Sequence, residues 1–179
     1  IGQLVADLIN DGDCIQTGIG AIPSAILAKL KDKNDLGLHG GLIDEGSMAL
    51  IRNGNVTGER KRIDRGFSVT GMALGESSLY EKLVNEATVL FRGANYTHEV
   101  DTIKELDNFV SINSAIEVDL FGQVNSEFAG GKQLSGTGGA VDFMRAAKTS
   151  SGGRSIIAMN ATAKGGKKSK IVPKVEMVT

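Results

Sequence analysis

Two glycine-rich loops could bring backbone N–H groups close to a bound anion. The first is Gln16–Pro23, with the sequence Gln-Thr-Gly-Ile-Gly-Ala-Ile-Pro, and the second is Ser135–Phe143, with the sequence Ser-Gly-Thr-Gly-Gly-Ala-Val-Asp-Phe. Each opens a predicted helix, and free N–H groups at such a junction attract phosphates. Gly138 and Gly139 could also direct their amides at a developing oxyanion. Taken alone, the first loop is equally typical of a plain turn, and it lacks the third glycine of a dinucleotide-binding motif.

A run of lysines near the end of the chain is a second candidate for phosphate binding. Residues 162–170 read Thr-Ala-Lys-Gly-Gly-Lys-Lys-Ser-Lys, in which Lys164 is the first of four lysines. Lysine ammonium groups hold phosphates as point charges. The alternative is a solvated basic edge strand, which discourages aggregation. Taken alone, the run favours this alternative.

Composition excludes several classes of function. The 179 residues include 20 basic and 21 acidic side chains, and aromatic residues make up 4%. This balance lacks the positive charge and the stacking platforms of a nucleic-acid-binding domain. No apolar run approaches the 18 residues of a membrane span. The single cysteine, Cys14, excludes an internal disulfide and suits a reducing, cytoplasmic compartment. We therefore expect neither a nucleic-acid nor a membrane partner.

Alternating strand and helix patterns predict an α/β fold with a mostly parallel sheet and helices on both faces. The predicted helices cover residues 2–10, 23–30, 47–53, 77–85 and 141–148. The predicted strands cover residues 14–17, 36–39, 67–74, 88–91, 109–119, a return strand at 123–125, and a buried strand at 155–159. Residues 167–175 are predicted to form a basic edge. No repeat or linker divides the chain, so we expect a single domain over residues 1–179.

Taken together and in this order, these segments resemble the C-terminal domain of the acetyl-CoA hydrolase/transferase family, which includes 4-hydroxybutyrate and acetate CoA-transferases. The resemblance runs from Ile1 to about Val178. It is strongest in Gly18–Pro23, Asn108–Asp119 with Gly122–Val124, Gly138–Phe143, Ser155–Ala158 and Thr162–Gly166.

The resemblance implies a fold, a function and partners. The fold is a CoA-transferase (NagB/RpiA-like) lobe, and residues 1–179 are expected to be a C-terminal-type domain, a fragment of a two-lobe protein whose active site lies between the lobes. The implied reaction moves coenzyme A between a short-chain acyl-CoA and a carboxylate acceptor. Coenzyme A is then a substrate, with no permanently bound cofactor and no metal. The expected partners are the absent N-terminal lobe and further copies of the protein in a homo-oligomer.

The resemblance also assigns site residues. In the family, a glutamate forms an acyl anhydride and then a glutamyl-CoA thioester, which divides the transfer into easier steps. Asn113 matches an asparagine near the acyl-thioester linkage. The positions expected to contact coenzyme A are Gly18, Ile19, Gly20, Ala21, Ile22, Ser135, Gly138, Gly139 and Lys164.

One position departs from the family pattern. Active members usually have His-Ser-Glu or His-Thr-Glu where this chain has His39-Gly-Gly41, so Gly41 stands in place of the nucleophile. Three explanations stay open: a non-catalytic paralogue that binds acyl-CoA, replacement of the nucleophile by Glu45, or a hydrolase in which water attacks directly. An acidic residue at a helix start, such as Glu45, also has a purely electrostatic explanation. His39 is expected to be structural and Cys14 to be a core residue.

Overall fold

The computed structural model describes residues 1–179 as seven helices and fifteen short strands. The helices are α1 (Gly2–Ala6), α2 (Ala21–Leu27), α3 (Glu45–Arg52), α4 (Ser77–Val84), α5 (Ala94–Thr97), α6 (Val100–Ile103) and α7 (Ala140–Ala147). The strands are β1 (Cys14–Thr17), β2 (Gly37–Leu38), β3 (Leu42–Ile43), β4 (Ser68–Thr70), β5 (Met72–Ala73), β6 (Val89–Phe91), β7 (Phe109–Asn113), β8 (Glu117–Asp119), β9 (Val124–Asn125), β10 (Phe128–Ala129), β11 (Lys132–Gln133), β12 (Arg154–Ile157), β13 (Thr162–Ala163), β14 (Lys168–Ser169) and β15 (Ile171–Val172). No helix combines the length and the apolar character that a membrane span requires.

The central sheet is parallel, which confirms the prediction. Its four strands have the order β12-β7-β1-β2, and each neighbouring pair is parallel. A parallel bridge between His39 and Val69 continues the sheet to β4, whose parallel neighbour is β6. In a sheet of this kind, the loops that follow the strands meet at one edge, where α/β proteins place their ligands.

Helices cover both faces of the central sheet, as predicted. Successive side chains of a strand point to opposite faces. Ile15 and Val110 belong to the larger apolar cluster, to which α1 to α4 also contribute, whereas Cys14 and Phe109 belong to a second cluster with α6 and α7. Strands β1 and β7 are therefore buried on both sides, and Cys14 is a core residue.

The second half adds antiparallel hairpins to this parallel framework. Strands β8 and β9 pair antiparallel, which confirms the predicted return strand, while β15 lies parallel to β8. The turn between β8 and β9 is held by the Asp119 carboxylate. Its Oδ1 accepts hydrogen bonds from the backbone N–H groups of Phe121 and Gln123, both at 2.9 Å, and its Oδ2 accepts one from Val175 N–H at 3.1 Å.

Three elements differ from their predicted form. Helix α1 ends at Ala6 rather than at residue 10, because the N–H groups of Leu8 and Ile9 bond to carbonyls only three residues back. The predicted strand at 67–74 is interrupted at Gly71, where β4 ends and β5 begins. Strand β12 is half-buried rather than buried, because it is the outermost strand of the central sheet.

Candidate functional site

The two predicted glycine loops meet in a single cleft of about 390 Å³ at the carboxyl ends of the parallel strands. The cleft also receives Asn113 from the end of β7 and Gly41 from the segment between β2 and β3. The lining residues are Gln16, Thr17, Gly18, Ile19, Gly41, Leu42, Met72, His98, Asn113, Ser135, Gly136, Thr137, Gly138, Gly139, Ala140 and Phe143. No carboxylate is among them.

A buried polar network fixes the Asn113 side chain at the floor of the cleft. Ser111 Oγ donates a hydrogen bond to Gln16 Oε1 at 2.8 Å. Asn113 Nδ2 donates to the same Gln16 oxygen at 3.2 Å and to Ser111 Oγ at 3.0 Å. A Cβ on Gly18 would lie 2.9 Å from Asn113 Oδ1, so the glycine leaves room for the amide. The network therefore holds the amide of Asn113 in one orientation beside the first loop.

Several backbone N–H groups of the cleft are free to bind a ligand. Those of Ile19, Gly138 and Gly139 donate no hydrogen bond to another backbone group of the chain. An acyl oxygen that gains negative charge during addition to its carbonyl carbon is stabilised by such donors. The cleft thus offers amide donors from two separate loops around one concave surface.

His98 is a lining residue that the sequence interpretation missed. A Cβ on Gly41 would lie 2.9 Å from His98 Cε1 and 3.0 Å from His98 Nε2, so the imidazole fills the space that a side chain at position 41 would enter. The ring packs on Phe143, with ring centroids 4.4 Å apart. The chain has only two histidines, so His98 could have been named as a candidate on its residue type alone. Its approach to Gly41 is a tertiary contact without a local sequence signal.

Burial and one neighbouring carboxylate act in opposite directions on His98. Burial lowers the pKa of the His98 imidazole below its ordinary value, and the Asp142 carboxylate opposes this shift. The Nδ1 atom lies 2.8 Å from the hydroxyl oxygen of Thr97, a fully buried residue. A second pocket, also of about 390 Å³, shares His98, Gly138 and Gly139 with the cleft and contains Glu99 and Asp142.

The remaining predicted contact residues lie outside the lining of the cleft. Gly20, Ala21 and Ile22 follow the first loop into α2, and Ile22 packs against the larger apolar cluster. Lys164 is exposed in the turn between β13 and β14.

Glu45 does not reach the cleft. It occupies the first turn of α3, and its Oε1 accepts a hydrogen bond from the N–H of Glu76 at 2.7 Å, just before α4 begins. This bond lowers the pKa of the Glu45 carboxyl. The structure therefore supports the electrostatic explanation for Glu45, adds a hydrogen bond to the start of α4, and gives the proposed catalytic role of Glu45 no geometric support.

His39 and Cys14 are buried beneath the site. His39 Nε2 lies 3.2 Å from the Thr97 carbonyl oxygen, while its Nδ1 has no hydrogen-bond partner. Burial, assisted by the nearby Lys61 ammonium, lowers the pKa of His39 to about 4. Burial raises the pKa of the Cys14 thiol to about 12. No group of three His, Cys, Asp or Glu side chains is arranged to hold a metal ion.

Comparison with known proteins gives consistent matches over the whole chain. Residues 75–179 match the family model described as the acetyl-CoA hydrolase/transferase C-terminal domain. Over 97% of its length the chain is 44% identical to the 4-hydroxybutyrate coenzyme A transferase of Clostridium kluyveri, of which it covers 40%.

Two solved structures share the fold over nearly the full chain. RipA from Yersinia pestis is 44% identical, with a TM-score of 0.94, and the match covers 99% of this chain and 40% of that one. The 4-hydroxybutyrate CoA-transferase from Porphyromonas gingivalis is 39% identical, with a TM-score of 0.88, and the match covers 99% of this chain and 42% of that one. The chain thus spans about 40% of the length of these relatives.

Proposed function

Because the chain belongs to the acetyl-CoA hydrolase/transferase family, we propose that its cleft binds coenzyme A and that the protein moves coenzyme A between a short-chain acyl-CoA and a carboxylate acceptor of the 4-hydroxybutyrate or acetate type. The observation that carries this proposal is the meeting of both glycine loops and Asn113 in one cleft. Coenzyme A enters this proposal as a substrate.

The donors around the cleft suit thioester chemistry. Addition to the thioester carbonyl places a negative charge on its oxygen, and the free N–H groups of Gly138 and Gly139 can stabilise that charge. Loss of one such backbone donor typically costs a factor of about 10² to 10³ in rate. The Asn113 Nδ2 group donates to Gln16 and Ser111, so the group that it leaves for a ligand is Oδ1, a hydrogen-bond acceptor fixed in one orientation.

Gly41 requires a route without an enzyme carboxylate. We propose direct transfer, in which the carboxylate oxygen of the acceptor attacks the thioester carbonyl carbon. The C–S bond breaks, which gives a mixed anhydride and the coenzyme A thiolate. The thiolate then attacks the acceptor's acyl carbon, and cleavage of that C–O bond releases the first acid as its carboxylate. Residue 41 takes no part in either step.

The other wall of the cleft is proposed to come from an N-terminal lobe. This chain covers about 40% of relatives that align with nearly all of it, which leaves room for a second lobe in proteins of their length. The expected homo-oligomer stays a prediction.

The test is an acyl-CoA assay on the full-length protein with butyryl-CoA, in the presence and absence of acetate. Transfer predicts acetyl-CoA only when acetate is present, as measured by liquid chromatography with mass spectrometry. Asn113→Ala removes the oriented amide beside the first loop and should lower this rate at least about 10-fold through poorer positioning of the substrate. Asp101→Asn, which changes an exposed carboxylate paired with Lys104, is the matched control and should leave the rate unchanged. Failure to form acetyl-CoA would overturn the transferase proposal.

The same assay separates the two alternatives. Release of coenzyme A without acetate would indicate an acyl-CoA hydrolase, an alternative favoured by the absence of a carboxylate from the cleft lining. Binding of coenzyme A without any turnover would indicate a non-catalytic paralogue.

Lys164 can be tested apart from the chemistry. Lys164→Ala should weaken coenzyme A binding by the full-length protein if the exposed β13–β14 turn reaches the charged part of the ligand. Lys29→Ala, at another exposed lysine, is the control. Equal dissociation constants for both variants, measured by calorimetry, would remove Lys164 from the site.

A further inference from the structure

The His98 imidazole takes up the space into which a side chain at position 41 would project. A Cβ on Gly41 would lie 3.0 Å from His98 Nε2, and a Cβ on Gly139 would also collide with the ring. Phe143 supports the ring from below through an aromatic contact at 4.4 Å between centroids. With the ring in this place, neither position 41 nor position 139 has room for a side chain. The cleft therefore contains an imidazole in the space that the glutamate implied by the family resemblance would occupy.

Nε2 is the ring nitrogen of His98 that faces the cleft, because Nδ1 is in contact with Thr97. The Thr97 hydroxyl is 2.8 Å from His98 Nδ1 and donates towards the Gly93 carbonyl oxygen at 3.5 Å. When Thr97 donates to that carbonyl, its oxygen must accept the hydrogen bond from Nδ1–H. We assign this tautomer from the network, and it leaves Nε2 unprotonated beside Gly41 and Gly139.

On the condition that an acyl-CoA binds in the cleft as proposed above, we propose that His98 Nε2 is the general base for hydrolysis of its thioester by water. Nε2 takes one proton as the water oxygen bonds to the carbonyl carbon. The resulting tetrahedral intermediate then expels the coenzyme A thiolate by breaking the C–S bond. The thiolate takes the proton back from the imidazolium, so the products are the acid and coenzyme A thiol.

The charges around His98 suit a base that is neutral near pH 7. The titratable groups around it are Asp142 on α7, Glu99, which is the next residue in the chain, and His39, which lies on the other side of Thr97. Burial lowers the pKa of His98, so its base form persists below the ordinary value of about 6.5. Asp142 opposes that shift, which means that it stabilises the imidazolium formed during the reaction. The hydrolysis rate should therefore fall with decreasing pH only below about 6.5.

The test uses the full-length protein with acetyl-CoA and no carboxylate acceptor, and it follows thiol release with Ellman's reagent. His98→Asn and His98→Gln should each lower hydrolysis at least about 100-fold. Both should also lose the acidic limb of the pH profile. Calorimetry should show coenzyme A affinity within about threefold of the unchanged protein. Asp101→Asn serves as the matched control, and circular dichroism selects the His98 variant that keeps the native fold.

The outcomes separate this inference from the proposed function. Hydrolysis at an unchanged rate in a folded His98 variant would overturn the role of His98, and so would the absence of hydrolysis from an unchanged protein that still transfers coenzyme A. In both cases the proposed function stands. An unchanged protein that neither binds coenzyme A nor consumes acyl-CoA would overturn both. Loss of hydrolysis together with retained coenzyme A affinity in a folded His98 variant would support the role of His98 and the binding of coenzyme A in the cleft.

Discussion

The His98 ring occupies the space beside Gly41, so a substitution at one of these two positions affects the other. A glutamate at position 41 would place its Cβ 2.9 Å from His98 Cε1. Overpacking of this kind typically costs about 1–3 kcal/mol. We predict that Gly41→Glu alone lowers the free energy of unfolding by about that amount. The double variant Gly41→Glu with His98→Asn should recover at least half of the loss in urea unfolding experiments.

The same pair of variants tests the chemistry at position 41. Only the double variant gives the glutamate room to reach a bound thioester, so only that protein should form a covalent glutamyl-CoA adduct with butyryl-CoA. Mass spectrometry after trapping with hydroxylamine would locate it. An adduct in the single variant would show that the ring moves aside readily.

His39 links stability to pH. Its folded pKa of about 4, lowered chiefly by burial, lies below the ordinary value of about 6.5. The folded state therefore resists protonation, and the stability gained by keeping His39 neutral is complete above pH 6.5 and is lost as pH falls towards 4. The size of the shift corresponds to about 3 kcal/mol. His39→Gln should remove this part of the pH dependence between pH 7 and pH 4 in urea unfolding, and parallel curves for the two proteins would contradict the assignment.

Site residues were predictable where a local pattern marks them. Gly18, Ser135 and Gly139 stand in glycine loops that open helices, and the structure brings all three to one cleft. His98 has no such pattern, because its role depends on a contact with Gly41, 57 residues earlier in the chain. Glu45 has the right chemistry for a nucleophile, but its carboxylate is engaged with the Glu76 N–H, which no spacing rule reveals.

Among the elements, the turn between β8 and β9 depends on one carboxylate. Burial by itself would raise the pKa of Asp119. The carboxylate accepts hydrogen bonds from several backbone N–H groups, however, and together these bonds lower its pKa below the ordinary value. Asp119→Asn should therefore lower the melting temperature by several degrees at pH 7, since an amide cannot accept all of these bonds. Asp101→Asn is the control at an exposed carboxylate.

The difference between the unchanged protein and Asp119→Asn should depend on pH in a definite direction. A carboxyl whose folded pKa is lowered contributes stability above its ordinary pKa of about 3.9 and loses that contribution as pH falls through the lowered value. The two melting temperatures should thus converge in acid. A constant difference from pH 7 to pH 2 would show that the charge of Asp119 is not what holds the turn.

The elements could be predicted where periodicity and partners agree. Strands β1 and β7 begin with apolar residues and are buried on both faces, and their parallel pairing followed from the alternation of strands with helices. The end of α1 could not be predicted, because Leu8 continues the apolar spacing of the helix although its side chain is exposed. The edge position of β12 could not be predicted either, since the order of strands in a sheet depends on the whole chain.

At the scale of the whole molecule, the cleft is open to solvent beside the first and second glycine loops. Its lining comes from loops at one edge of the sheet, and the Ile19 and Leu134 side chains beside it are 60% and 63% exposed. We predict that residues 1–179 alone bind coenzyme A at least about 10-fold more weakly than the full-length protein, a difference of about 1.4 kcal/mol. Calorimetry on both proteins measures this. Equal affinities would show that this lobe holds the complete binding site.

The position of β7 between β1 and β12 also governs the timing of folding during synthesis. Gln16 pairs with Ser111, which is 95 residues later in the chain. At about 5–20 residues per second, a ribosome needs about 5–20 s to make the intervening segment. Until β7 is made, the edge of β1 that β7 covers in the final sheet has no partner, and open strand edges invite pairing with other chains. The order of strands in the sheet therefore creates an interval during synthesis in which a strand edge of the central sheet is without its partner.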